Sequence, residues 1–168
     1  MKVIKLSGVI ALVSLLSATA VAAETATTSE KEDVYVGFGA AYSTDESKDI
    51  ASEYVGAELY YGYKSNQYFA FEFGIADYSL YSSENDGQDL FSVFGRFKGE
   101  YALNTATNLY LGTGIAYTDE NVRPLLNVGV SHRINDEFSM DFGYQGLFGT
   151  NENHMDVYGL KVAMNYHF

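Results

Sequence analysis

The end of the chain alternates without a break. Tyr158, Leu160, Val162, Met164, Tyr166 and Phe168 are bulky and apolar, while Gly159, Lys161, Ala163, Asn165 and His167 between them are small, polar or charged. A period of two marks an extended strand with one greasy face and one wet face. The stretch is also about as long as the ~9–11 tilted residues that cross a bilayer. A membrane strand and an amphipathic strand of a soluble sheet both satisfy the pattern, so the rest of the sequence has to choose between them.

The other end bears on that choice. Met1, Lys2 and Lys5 make a short basic start, followed by an uncharged run from Leu6 to Ala23. Its strongly apolar part is only Val9 to Leu16, too short for a spanning helix of ~17–25 residues, and small residues at Val21-Ala22-Ala23 follow. This order predicts a signal peptide over 1–23, cut after Ala23 or one residue earlier, and a mature chain outside the cytoplasm. Glu24 to Glu32 is polar and featureless and is expected to be a flexible periplasmic tether. Removing Lys2 and Lys5 takes the net charge from −12 to −14, which argues against a nucleic-acid partner. The absence of cysteine excludes disulfides and thiolate chemistry. Tyr 15 and Phe 11 against Trp 0 and Pro 1 is a sheet composition, since aromatics suit pleated surfaces and proline breaks ladders.

From Asp33 to Phe168 the alternation recurs with no internal linker, which predicts one domain over 33–168. The alternating segments are Val34–Tyr42, Tyr54–Tyr63, Tyr68–Asp77, Leu90–Leu103, Leu109–Tyr117, Leu125–Ile134, Phe138–Leu147 and Met155–Phe168. Lys64-Ser65-Asn66-Gln67, Asn104–Asn108 and Asn135-Asp136-Glu137 read as tight turns, whereas Ser43–Glu53 and Ser79–Asp89 are longer and acidic. Thr118–Pro124 and Phe148–His154 are intermediate, and Pro124 is expected where the sixth segment begins. Short turns at one end and longer loops at the other suit an eight-stranded antiparallel up-and-down transmembrane β-barrel.

Side-chain volume decides which face points out. The apolar phase includes Val36, Phe38, Leu59, Phe71, Phe73, Phe97, Leu111, Ile115, Val128, Phe142, Leu160 and Val162. An eight-stranded barrel has room inside only for its own side chains or one small ligand, so this set would overfill it. Against lipid it fits. The opposite phase carries Glu58, Glu72, Glu100 and Asp141 against Arg96, Lys98, Arg133 and Lys161. Equal numbers of opposite charges are what a closed, low-dielectric interior requires, and these eight residues are the expected lumenal network. Tyr42, Tyr117, Tyr144 and Tyr158 at one end, and Tyr61, Tyr63, Tyr101, Tyr166 and Phe168 at the other, make two aromatic girdles.

The stretches YVGFGAAY, GAELYYGY, RFKGEYALNTATNLYLGTGIAY, LLNVGVSHRINDEFSMDFGYQ and YGLKVAMNYHF together resemble the small outer-membrane β-barrels typified by the membrane domain of outer-membrane protein A. The resemblance is one of pattern and covers Asp33 to Phe168. It implies a Gram-negative cell outer membrane, lipid and lipopolysaccharide as surroundings, and a monomer. It also implies an assembly signal at Phe168, with Tyr166 and Met164, read by the barrel assembly machinery and periplasmic chaperones. Larger members carry a peptidoglycan-binding domain after the barrel; no such segment follows Phe168 here, so cell-wall anchoring is not implied.

Some small barrels with a similar pattern are enzymes that place histidine and serine together near the outer rim. His132 and His167 fall near periplasmic strand ends and His154 in an outer loop, so interfacial histidines and no enzymatic activity are expected. The acidic loops Asp45–Asp49 and Glu84–Asp86 lack calcium-loop spacing, and cation bridging to lipopolysaccharide phosphates suits them better than a metal site. No cofactor is expected. Two functions stay open: a structural or surface-interaction barrel whose lumen is closed by charge pairs, and a narrow pore or transport route for small solutes or apolar molecules.

Overall fold

The structure is a computed structural model that describes residues 33–45, 52–82, 91–118, 121–149 and 156–168. The predicted signal peptide and tether, the acidic loop segments 46–51 and 83–90, and His154 lie outside these residues. The strands are β1 (Asp33–Asp45), β2 (Ser52–Asn66), β3 (Phe69–Ser82), β4 (Phe91–Ala102), β5 (Thr107–Thr118), β6 (Asn121–Arg133), β7 (Phe138–Leu147) and β8 (Val157–His167). Each pairs antiparallel with the next, and β8 returns to β1, so the sheet closes as a barrel with no free edge. The closing ladder runs from Tyr35↔His167 to Asp45↔Val157.

The alternation sorts the side chains as the pleat dictates. Phe38, Phe73, Ile115 and Leu160 point outward with 59–64% of their surface free, while Tyr60, Glu72, Arg96 and Lys161 on the opposite phase are buried. An apolar exterior around a polar interior is the inverse of a soluble barrel, and it places the solvent of the outer wall as hydrocarbon.

The three connections at one end of the barrel are short, and each carries an asparagine. The side-chain carbonyl of Asn66 accepts from the N–H groups of Tyr68 and Phe69, that of Asn104 from Ala106, and that of Asn135 from Glu137 and Phe138. Such Asx turns satisfy backbone donors that the ladder cannot reach. They lie at the same end as Asp33 and Phe168, the end that the shorter turns assign to the periplasm.

Several boundaries differ from expectation, and β1 and β3 run on to Asp45 and Ser82, into segments read from sequence as loops. Lys64, Ser65 and Asn66 continue β2 instead of forming a turn, because β1 offers Lys64 a partner in Asp33. The β5–β6 ladder runs out to Thr118↔Asn121, so Pro124 sits inside β6 opposite Ile115. Its carbonyl faces β7, accepting from Phe148 N–H at 2.9 Å, so the missing N–H also faces β7. Register pairs with β7 begin only at Leu125↔Leu147, so the proline spoils no established rung.

Large rings fit the narrow interior because glycines lie beneath them. The Tyr60 ring lies over Gly37 and the Tyr35 ring over Gly62, each so closely that a Cβ on the glycine would overlap the ring.

Candidate functional site

Among the described residues the lumen gathers the buried polar chemistry of this fold, and it is stratified. At mid-depth, Arg96 on β4 meets both carboxylates of its neighbourhood. Its Nη2 lies 3.1 Å from Glu58 Oε1, its Nε donates to Glu72, and its Nη1 donates to Gln145 Oε1 at 3.2 Å. The guanidinium carbon also stands 4.7 Å from the Tyr60 ring centre and 4.9 Å from that of Phe94, so cation–π attraction supplements the ion pairs. Lys161 on β8 pairs with Glu58. Lys98 pairs with Asp141 at 2.8 Å and lies 3.5 Å from Glu100 and 3.8 Å from Glu72. Tyr35 donates to Glu72 at 2.5 Å.

Of the eight residues expected in the network, Glu58, Glu72, Arg96, Lys98, Glu100, Asp141 and Lys161 are brought together. Arg133 is not among them. It is the last residue of β6, its side chain is 44% exposed at the periplasmic rim, and it pairs with Asp33 at 3.0 Å. A cation missed by sequence reasoning, Lys64, takes the fourth place by pairing with Glu100 at 2.6 Å, where Asn108 also donates at 2.9 Å. Lys64 shares the inward phase of Glu58 and Tyr60, so its parity carried the signal; reading it as a turn residue hid it.

Toward the outer end the lumen is mixed. Tyr54, Tyr78, Phe94, Leu125, Leu147 and Val157 are buried in one cluster, while Arg123, two residues beyond Leu125 on β6, and Ser92 and Thr118 are buried at the same end. Tyr78 is tied to the layer below, since Gln145 Nε2 donates to its hydroxyl at 3.0 Å. Sequence reasoning listed none of these six as lumenal except through their phase, because apolar residues were sought on the outer wall.

At the periplasmic mouth stands a third group. His167, read from sequence as interfacial, points inward: its Nδ1 lies 2.9 Å from Asp33 Oδ1 and its Nε2 lies 2.8 Å from Ser139 Oγ. His132 stays on the rim and bonds Thr107 at 3.0 Å.

Met164, Tyr166 and Phe168 all face outward on β8 or just past it. Tyr166 packs at a tilt against Phe138 and edge-on to Phe168, with centroids 5.3 and 5.1 Å apart, and Phe168 N–H donates to Val34 carbonyl at 2.9 Å. The terminal aromatic therefore sits at the seam between the first and last strands.

With the geometry in view, comparison with known proteins gives its context. No curated protein sequence matches the chain. Among solved structures, Neisserial surface protein A matches with a TM-score of 0.67 at 16% identity, over 80% of this chain and 97% of that one. The attachment invasion locus protein of Yersinia pestis matches with a TM-score of 0.56 at 13% identity, over 82% of this chain and 99% of that one. The N-terminal β-barrel domain of Pseudomonas aeruginosa OprF matches with a TM-score of 0.54 at 10% identity, over 83% and 98%. At these identities the likeness is one of fold. The family model for the outer membrane protein beta-barrel domain, however, matches residues 11–168. This chain belongs to the outer membrane protein β-barrel domain family and is an outer-membrane protein.

Proposed function

We propose that the protein is a closed barrel with a structural and surface-contact role in the Gram-negative envelope, made through its outer loops, and not a conduit. The observation that carries this reading is the filled lumen. A layer of ion-paired side chains spans it at mid-depth, and a layer of buried aromatic and aliphatic side chains lies above. A hydrated ion would have to displace paired charges and then pass a packed layer of rings, aliphatic chains and the buried Arg123. The outer wall offers lipid and lipopolysaccharide a continuous apolar band. The terminal Phe168, Tyr166 and Met164 form the outward patch that the assembly machinery and its chaperones would read. The barrel closes on itself without a second copy, which fits a monomer.

Planar-bilayer recording of the purified protein tests the reading. Silence, or rare brief events, is the expected result; large steady open currents would establish the pore instead.

A further inference from the structure

The periplasmic mouth holds a constellation that a plug does not require. Asp33, the first residue of β1, His167, the last of β8, and Ser139, the second of β7, form one hydrogen-bonded chain. The proton positions follow from the partners. A carboxylate only accepts, so the imidazole proton sits on Nδ1 facing Asp33, 2.9 and 3.0 Å from its two oxygens. In the neutral ring Nε2 is then an acceptor, and the Ser139 hydroxyl donates to it across 2.8 Å. This is the order nucleophile, general base, orienting carboxylate.

A fourth group completes it. Asn165 Nδ2 lies 3.2 Å from Ser139 Oγ, and its orientation is fixed because Tyr60 donates to Asn165 Oδ1 at 2.6 Å. One amide hydrogen points at the serine oxygen and the other remains to meet an oxyanion forming beside it. Tyr35 walls the imidazole at 5.2 Å, and backbone Glu137 accepts from His167 N–H at 2.7 Å, so the ring has little freedom to turn. Arg133 at 3.0 Å holds Asp33 from the other side.

The geometry points to Ser139 as an activated nucleophile that accepts acyl groups from small, uncharged esters entering from the periplasm. Smallness follows from position: Ser139 is 4% exposed, and its relay partners His167 and Asp33 are only 9% and 19% exposed. Lack of net charge follows from the rim, where Arg133 pairs with Asp33 and Lys64 with Glu100. Ser139 Oγ attacks the carbonyl carbon while its proton passes to His167 Nε2, and the carbonyl oxygen becomes an oxyanion facing Asn165 Nδ2. The bond to the alcohol oxygen breaks, and His167 returns the proton to the departing alkoxide. Water then attacks the acyl-serine, yields a proton to His167, and releases the carboxylic acid as the serine hydroxyl is restored.

Diisopropyl fluorophosphate is small enough to test this directly on the full protein purified from outer membranes in detergent. Peptide mass mapping is expected to find the adduct on Ser139, formed roughly a hundredfold or more faster in folded than in urea-unfolded protein, the low end for general-base assistance. Ser139→Ala should lose the adduct and Ser131→Ala, a serine at the same end outside the relay, should keep it. Asp33→Asn should slow labelling and change its pH profile, which a purely structural clasp would not do. The wild-type adduct map stands even if a variant fails to assemble. No adduct on Ser139, or equal rates folded and unfolded, would overturn the assignment.

Discussion

A single guanidinium decides how tightly the lumen is stopped. Arg96 serves Glu58, Glu72 and Gln145 at once while lying between two rings, so five groups depend on its position. Removing it leaves two buried carboxylates with Lys161 and Lys98 alone, and breaking a buried pair costs roughly 3–5 kcal/mol. Arg96→Ala is therefore expected to lower the urea midpoint of the barrel in lipid vesicles and to admit cation currents in planar bilayers. Arg96→Lys keeps the charge but loses the planar fork that reaches several acceptors, so it should fall between the two. A variant as stable and as silent as the parent would remove Arg96 from this role.

At the scale of the element, strands and turns were read from different signals. Alternation reveals a strand and its faces, and Phe138–Leu147 was read with the bounds that β7 has. Depth around the barrel is another matter. Lys98 on β4 meets Asp141 on β7, and Lys161 on β8 meets Glu58 on β2, pairs that depend on the stagger of strands around the closure and leave no trace in parity. The His167–Ser139 contact was missed for a related reason: histidine and serine were sought together at the outer rim, and the pair sits at the other end. The turns make their own prediction. Asn135 accepts from two backbone N–H groups at 2.9 and 2.7 Å, so Asn135→Ala should cost about 1 kcal/mol, measurable as a small drop in the same urea midpoint. Phe168 differs in kind. Its ring is 68% exposed and packs edge-on to Tyr166, so Phe168→Asp should hardly alter barrel that has already formed. Its outer-membrane level in cells should fall well below that of the parent; equal levels would detach the seam aromatic from assembly.

For the whole molecule, the surrounding solvent sets what each face tolerates. Val162 faces outward midway along β8, between Ala40 and Phe142. An arginine there would stand in hydrocarbon, so Val162→Arg should cost roughly 2–4 kcal/mol in a bilayer, against ~0–1 for a like change near the interface. Unfolding from vesicles measures the difference. A closed barrel also resists mild detergent, so unheated and boiled samples should migrate differently on a gel, and extraction into plain buffer would contradict the membrane placement. The ties that cross the lumen carry a consequence of their own. Lys98 to Asp141, Lys161 to Glu58, Tyr60 to Asn165 and Arg96 to Gln145 join strands that are not neighbours in the wall, like spokes braced inside a rim. A wheel does not remember where its hoop was welded. Joining the adjacent first and last strands and cutting the hoop at another short turn should give a protein with the same interior, because every spoke would still find its opposite end.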